Sequence, residues 1–120
     1  MQLITLKSKL HRGCVTDCNI NYEGSIEIDE DLMDAVGILT YEQVHVYDIN
    51  NGNRFITYAI PGKRGGGAIM VNGAAARLAQ INDRIIIVAY GIMDVQEQKK
   101  FKPQIALLDE NNMILKKKRI

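Results

Sequence analysis

The sequence predicts a mainly β fold, a small β-barrel with a few short helices, and three observations carry that prediction. Short β-like segments recur along the chain with turn signals between them. The apolar run "IIIVAY" at 85–90 is continuous rather than alternating, as in a strand covered on both faces. Helical patterning is confined to brief stretches. Many short strands with little helix favour a closed or heavily packed barrel over an α/β sheet.

Taken in order, "LITLKSKL" and "CVTDCNI" carry partial alternation and read as strands, the second holding both Cys14 and Cys18. "NYEGS" at 21–25 reads as extended chain, interrupted by Gly24-Ser25 and resumed in "IEI". Asp29 is a good N-cap for the helix "EDLMDAVG", with acids in its first turn and Gly37 placed to end it. "QVHVYDI" (43–49) and "RFITYAI" (54–60) flank "NNGN", where Asn51-Gly52 suits a tight hairpin turn. "GKRGGG" (62–67) lacks the Walker spacing and reads as a flexible hairpin loop. "AIMV" (68–71), "RIIIVAY" (84–90) and "QIALLD" (104–109) are further strands. "NGAAAR" (72–77) reads as a turn followed by one helical turn, and "DVQEQKK" (94–100) as a short helix. "KKKR" (116–119) has no interleaved aromatics and reads as a solvated, mobile tail.

The 120 residues suit a single domain spanning 1–120, with 47% hydrophobic and 24% charged residues as in ordinary soluble proteins. Fifteen basic against fourteen acidic residues leave a net charge of +1, too little to attract nucleic acid or an anionic membrane. The longest apolar run is too short to span a bilayer, and "MQLITLKSKLHR" has no secretory signal pattern, so a cytoplasmic protein is expected. Cys14 and Cys18, four extended residues apart, would sit roughly 13 Å from each other, too far for a disulfide. They form no CxxC and no metal tetrad, and read as packing residues in a reducing compartment, open to oxidation if exposed.

Four features could carry chemistry. "KLHR" (9–12) crowds Lys9, His11 and Arg12 together. "NYEGS" contains Tyr22, Gly24 and Ser25. "NNGNRFITY" (50–58) places Arg54, Thr57 and Tyr58 just past a turn. "VNGAAAR" (71–77) sets Asn72 and Gly73 before small residues. Singly, each is explained as well by surface strand positions or close packing.

Jointly they extend over nearly the whole chain. "LKSKLHR", "VTDCNINYEGSIEIDEDLMDAVGI", "VYDINNGNRFITYAI", "IMVNGAAAR", "INDRIIIVAY" and "KPQIALLDENN" resemble the aspartate 1-decarboxylase family of pyruvoyl-dependent enzymes, which make β-alanine for pantothenate. The resemblance implies a double-psi β-barrel, a homotetramer, L-aspartate as substrate, and neither metal nor pyridoxal phosphate. It makes Gly24-Ser25 a self-cleavage site. The Ser25 hydroxyl attacks the Gly24 carbonyl and converts the amide to an ester. Elimination then frees chain 1–24 and leaves dehydroalanine, which hydrolyses to a pyruvoyl group heading chain 25–120. Glycine offers the carbonyl without a side chain in the way and tolerates unusual backbone geometry. That group forms a Schiff base with the substrate amine and accepts electrons as carbon dioxide leaves. The resemblance assigns Tyr58 as proton donor, and a phenol with an ordinary pKa near 10 suits that role. Arg54 is the natural clamp for the carboxylate that remains, because gripping the departing one would oppose decarboxylation. Lys9 is a second cation, and Thr57 with Gly73, Ala74 and Ala75 lies against the substrate. His11, Tyr22 and Asn72 are supporting residues, Asn72 as a hydrogen-bonding neighbour of the cleavage site.

In a regular strand Arg54 and Tyr58 share a face while Thr57 points the other way. All three serve one centre only if the strand ends or bulges there or if two subunits contribute, and an intersubunit active site is expected. The cysteines in "RGCVTDC" and the glycine-rich "GKRGGGAIM" depart from the family pattern without touching the assigned residues. Competing readings are a non-catalytic small β-barrel that binds a partner, and a proenzyme that depends on a maturation factor.

Overall fold

The computed structural model describes residues 1–119; Ile120, the last residue of the expected larger fragment, lies outside the described residues. Among the described residues the chain is mainly β. The strands are β1 (Gln2–Cys14), β2 (Asp17–Asn19), β3 (Ser25–Asp29), β4 (Gln43–Asp48), β5 (Arg54–Gly62), β6 (Ile69–Asn72), β7 (Arg84–Asp94), β8 (Gln104–Leu108) and β9 (Ile114–Arg119). Two short helices, α1 (Glu30–Val36) and α2 (Val95–Lys100), and one 3-10 turn (Gly73–Arg77) complete the described elements. The strands form one mixed sheet in the order β2-β6-β3-β5-β4-β7-β1-β8-β9. Among the described residues no helix is long and apolar enough to cross a membrane.

The apolar run of β7 has a topological cause: the strand lies between β4 and β1. Its inner residues Ile85, Ile87 and Ala89 are fully buried, and so is most of Val88 on the other face. Across the sheet Leu10, Val46 and Ile28 join the same core, each such side chain contributing roughly 1.5–3 kcal/mol through burial. Tyr90 and Ile92, on the outer face of β7, remain exposed, so the strand is covered on both faces only in its first half.

Helix α1 is too short to be stable alone and rests on Leu32, Met33 and Val36, which it buries. Asp29 caps it, accepting from the Asp31 N–H at 2.9 Å, and Gly37 ends it in the left-handed region at φ 76°. The same Asp29 carboxylate accepts from the N–H groups of Gly65 and Gly67 at 3.2 and 2.8 Å. The glycine-rich segment is therefore not a flexible hairpin loop. β5 and β6 pair on opposite sides of β3, so this loop crosses the end of β3 and is pinned there. Arg64 adds ion pairs to Glu30, Asp31 and Asp34 at 3.3, 2.8 and 2.7 Å.

Three further expectations are corrected. "KKKR" is not a tail but most of β9, paired antiparallel with β8 at the edge of the sheet. Cys14 and Cys18 do not share a strand, because β1 ends at Cys14 and β2 begins at Asp17. Cys14 is buried, and burial, then Asp17, Asp83 and Asp48, raise the Cys18 thiol above its usual pKa, which disfavours the reactive thiolate. Finally, Gly24-Ser25 is not extended on both sides: residues 20–24 form a turn and bend, and β3 starts at Ser25. The hairpin at Asn51-Gly52 is present, but Asp48 and Asn53 close it around a four-residue loop with Gly52 at φ 75°.

Candidate active site

Ser25 opens β3 between two neighbouring strands. On one side it pairs directly with Asn72 of β6. On the other, β3 runs parallel to β5 with Ile26 against Ala59, so one step back sets Ser25 level with Tyr58. Ser25 is only 1% exposed, whereas Gly24 beside it is open to solvent. The Asn72 amide Nδ2 donates to Ser25 Oγ at 3.5 Å, a long contact that aims the amide at the hydroxyl. Ser25 has φ 157°, at the edge of the positive region that side-chain-bearing residues rarely adopt.

Glycine is demanded by close packing at 73 rather than at 24. Gly73 has φ 68°, and a Cβ there would lie 2.7 Å from the Gly24 Cα and 3.2 Å from the Tyr22 carbonyl oxygen. Gly24 itself has open space where a Cβ would stand, and it is not among the positive-φ glycines. Ala74 and Ala75 follow Gly73 in the 3-10 turn, and Ala75 packs against the hydrophobic core. Thr57 precedes Tyr58 on β5 and is half-buried, on the opposite face from Tyr58.

Lys9, His11 and Arg54 form a separate group. His11 pairs with Ile86, Ile86 with Tyr47, and Tyr47 with Arg54, a row across β1, β7, β4 and β5. Cross-strand partners share a face, so His11, Tyr47 and Arg54 all point outward from the sheet, as does Lys9 two residues before His11. The inner face of the same strands holds Leu10, Ile87 and Val46. Burial, then the charges of Lys9, Arg12, Lys118 and Arg84, hold the His11 imidazole below its usual pKa. Its Nδ1 is buried and has no hydrogen-bond partner among the described residues.

Within one chain the two groups do not meet. Arg54 stands four residues from Tyr58, roughly 13 Å along β5, and β1 lies four places from β3 in the sheet order. Arg54 also leans away from Ser25, its guanidinium 4.4 Å above the ring centre of Tyr47. Tyr47, Tyr90 and His45 were not singled out from sequence. Tyr47 and Tyr90 share a hydroxyl hydrogen bond of 2.8 Å, and the His45 ring meets Tyr90 edge-on at 5.0 Å. The alternation of "QVHVYDI" puts residues 45 and 47 on one face and was the available signal. A cleft of about 460 Å³ runs past these rings, lined also by Ile4, Gln43 and Ile92.

The family model described as aspartate decarboxylase matches residues 1–115. An aspartate 1-decarboxylase of Thermoanaerobacter pseudethanolicus is 57% identical over 112 residues, covering 93% of this chain and 96% of the relative. Those of Carboxydothermus hydrogenoformans and Maricaulis maris are 54% and 53% identical, covering 97% and 98% of this chain and 91% and 97% of their own. With a family model spanning all but its last five residues and relatives matched over nearly their full length, the chain belongs to the aspartate decarboxylase family.

Proposed function

We propose that this protein is a pyruvoyl-dependent aspartate 1-decarboxylase that cuts itself between Gly24 and Ser25 and converts L-aspartate to β-alanine and carbon dioxide, supplying pantothenate synthesis in the cytoplasm. The observation that carries this reading is the placement of Ser25 between Asn72 and Tyr58, with the backbone of Gly73 against Gly24. Ser25 Oγ attacks the Gly24 carbonyl carbon, and the amide becomes an ester. Asn72 steadies the hydroxyl, while the Gly73 contact restricts the bend that presents the carbonyl.

The residues around Ser25 suit a pyruvoyl group: the position is buried, flanked by the Asn72 amide and level with the Tyr58 phenol. Once formed, that group supplies an electrophilic carbonyl and an electron sink for loss of the substrate's α-carboxylate. Arg54 grips the carboxylate that stays, presenting a planar pair of N–H donors to its two oxygens. Lys9 contributes a second positive charge, and His11, neutral at pH 7, contributes hydrogen bonds without adding charge. The Tyr58 hydroxyl delivers a proton to the substrate Cα. Thr57 and the Gly73-Ala74-Ala75 backbone form the wall against which the substrate lies, with Tyr22 at the edge.

Arg54, Lys9 and His11 reach that centre from a neighbouring copy in a homotetramer. The outer face that carries them also leaves Ile4, Ile56 and Ile92 at 77%, 60% and 72% exposure, and a second copy would cover them. Incubating the cleaved protein with L-aspartate should release β-alanine and carbon dioxide in equal amounts, and Ser25→Ala should do neither. Turnover by uncleaved Ser25→Ala, or none by the cleaved chain, would overturn the proposal.

A further inference from the structure

We infer that Tyr47, braced by Tyr90, is a positioning residue that holds the Arg54 guanidinium in place for a substrate carboxylate; the inference rests on the reading of Arg54 as the clamp. Register makes the pair: Tyr47 is the direct cross-strand partner of Arg54 in the β4–β5 hairpin, on the same outward face. The guanidinium lies 4.4 Å from the ring centre, within cation–π range. Among the described residues Arg54 has no acidic partner, so the ring is the contact that orders an otherwise mobile side chain. A cation–π contact with a ring leaves the guanidinium N–H groups free. A carboxylate needs those donors in a fork, and a salt bridge to a protein acid would consume them.

The platform is itself held. Tyr47 Oη and Tyr90 Oη are 2.8 Å apart, joining β4 to β7, and His45 packs edge-on against Tyr90. The bond to Tyr47 comes first among the causes that raise the Tyr90 pKa, so the Tyr90 hydroxyl that braces the platform stays protonated.

The test uses the cleaved enzyme and succinate, a dicarboxylate without the amino group, whose affinity is read by calorimetry alongside KM and kcat for aspartate. Tyr47→Leu should weaken succinate and raise KM by about tenfold, with kcat within about twofold and self-cleavage complete by intact mass. Tyr47→Trp, which keeps a face but loses the hydroxyl, should stay within about twofold of wild type, and Tyr90→Phe within about threefold. In an Arg54→Ala background Tyr47→Leu should cost nothing further. Wild-type succinate affinity in Tyr47→Leu, while Arg54→Ala loses it, would overturn the inference alone. So would an undiminished Tyr47→Leu effect in the Arg54→Ala background, or a large loss in Tyr47→Trp. Unchanged affinity in Arg54→Ala itself would instead overturn the clamp reading, and this inference with it.

Discussion

Gly73 and Asp48 show how single residues carry consequences that the linear sequence conceals. A Cβ at position 73 meets the Gly24 Cα at 2.7 Å and must adopt φ 68°, whereas a Cβ at 24 meets nothing within 4 Å. In an uncleaved Ser25→Ala background, Gly73→Ala should therefore cost on the order of 1–3 kcal/mol in urea unfolding, and Gly24→Ala less than about 0.5. Equal costs would contradict the packing described. Gly73→Ala in the wild-type chain should also slow the appearance of fragments. Asp48 is 3% exposed, accepts from the N–H groups of Asn50 and Asn51 through Oδ1, and leaves Oδ2 unpartnered beside Asp83. Burial, then Asp83, raises its pKa from 3.8 to about 6. The folded chain thus binds that proton more tightly than the unfolded chain, so stability from this group is lost as pH rises from about 4 to 6. Asp48→Asn keeps the Oδ1 acceptor and offers Asp83 an amide N–H. It should raise Tm by several degrees at pH 7.5 and by much less at pH 4.5; an equal gain at both would refute the titration. The sequence named Ser25, Asn72 and Gly73 through their shared motifs, but could not say that the steric demand lies at 73, because that contact joins residues far apart in the chain.

At the scale of elements, alternation and caps were legible while partners were not. Asp29 and Gly37 frame α1 as their local chemistry demands. The segment 62–67 looked like a hairpin because strand, glycines and strand follow one another. That pattern is equally compatible with a loop that crosses a third strand, as this one does over β3. "KKKR" looked like a tail because nothing aromatic interleaves it. An edge strand needs only one partner, and a row of lysines on it discourages pairing with other chains. Asp29 ties helix to crossover, so Asp29→Ala removes the cap and leaves the Gly65 and Gly67 N–H groups without their acceptor. The expected cost is roughly 2–4 kcal/mol, and Asp29→Asn, which retains one acceptor oxygen, should cost about half that. Denaturant midpoints of the two variants check the ratio.

For the whole molecule, the separation of the site into two groups is the main result beyond the sequence. The alternation of β5 suggested shared sites from Thr57 alone. The sheet order now divides the residues, with Ser25, Asn72 and Tyr58 in one cluster, Lys9, His11 and Arg54 in another, and Thr57 on the opposite face of β5 from Tyr58. In the proposed tetramer, mixing Ser25→Ala with Arg54→Ala chains should restore activity, because a hybrid interface can pair an intact cluster with an intact row. Mixtures of Ser25→Ala with Tyr58→Phe should not, since both changes fall in one cluster. Recovery in the second mixture but not the first would reverse that assignment. All of this depends on one covalent event at Gly24-Ser25, and a denaturing intact-mass spectrum of the purified protein reads it directly. Two species are expected, residues 1–24 and residues 25–120, the larger without a free amino terminus. A single 13.5 kDa chain that persists on prolonged incubation would contradict it.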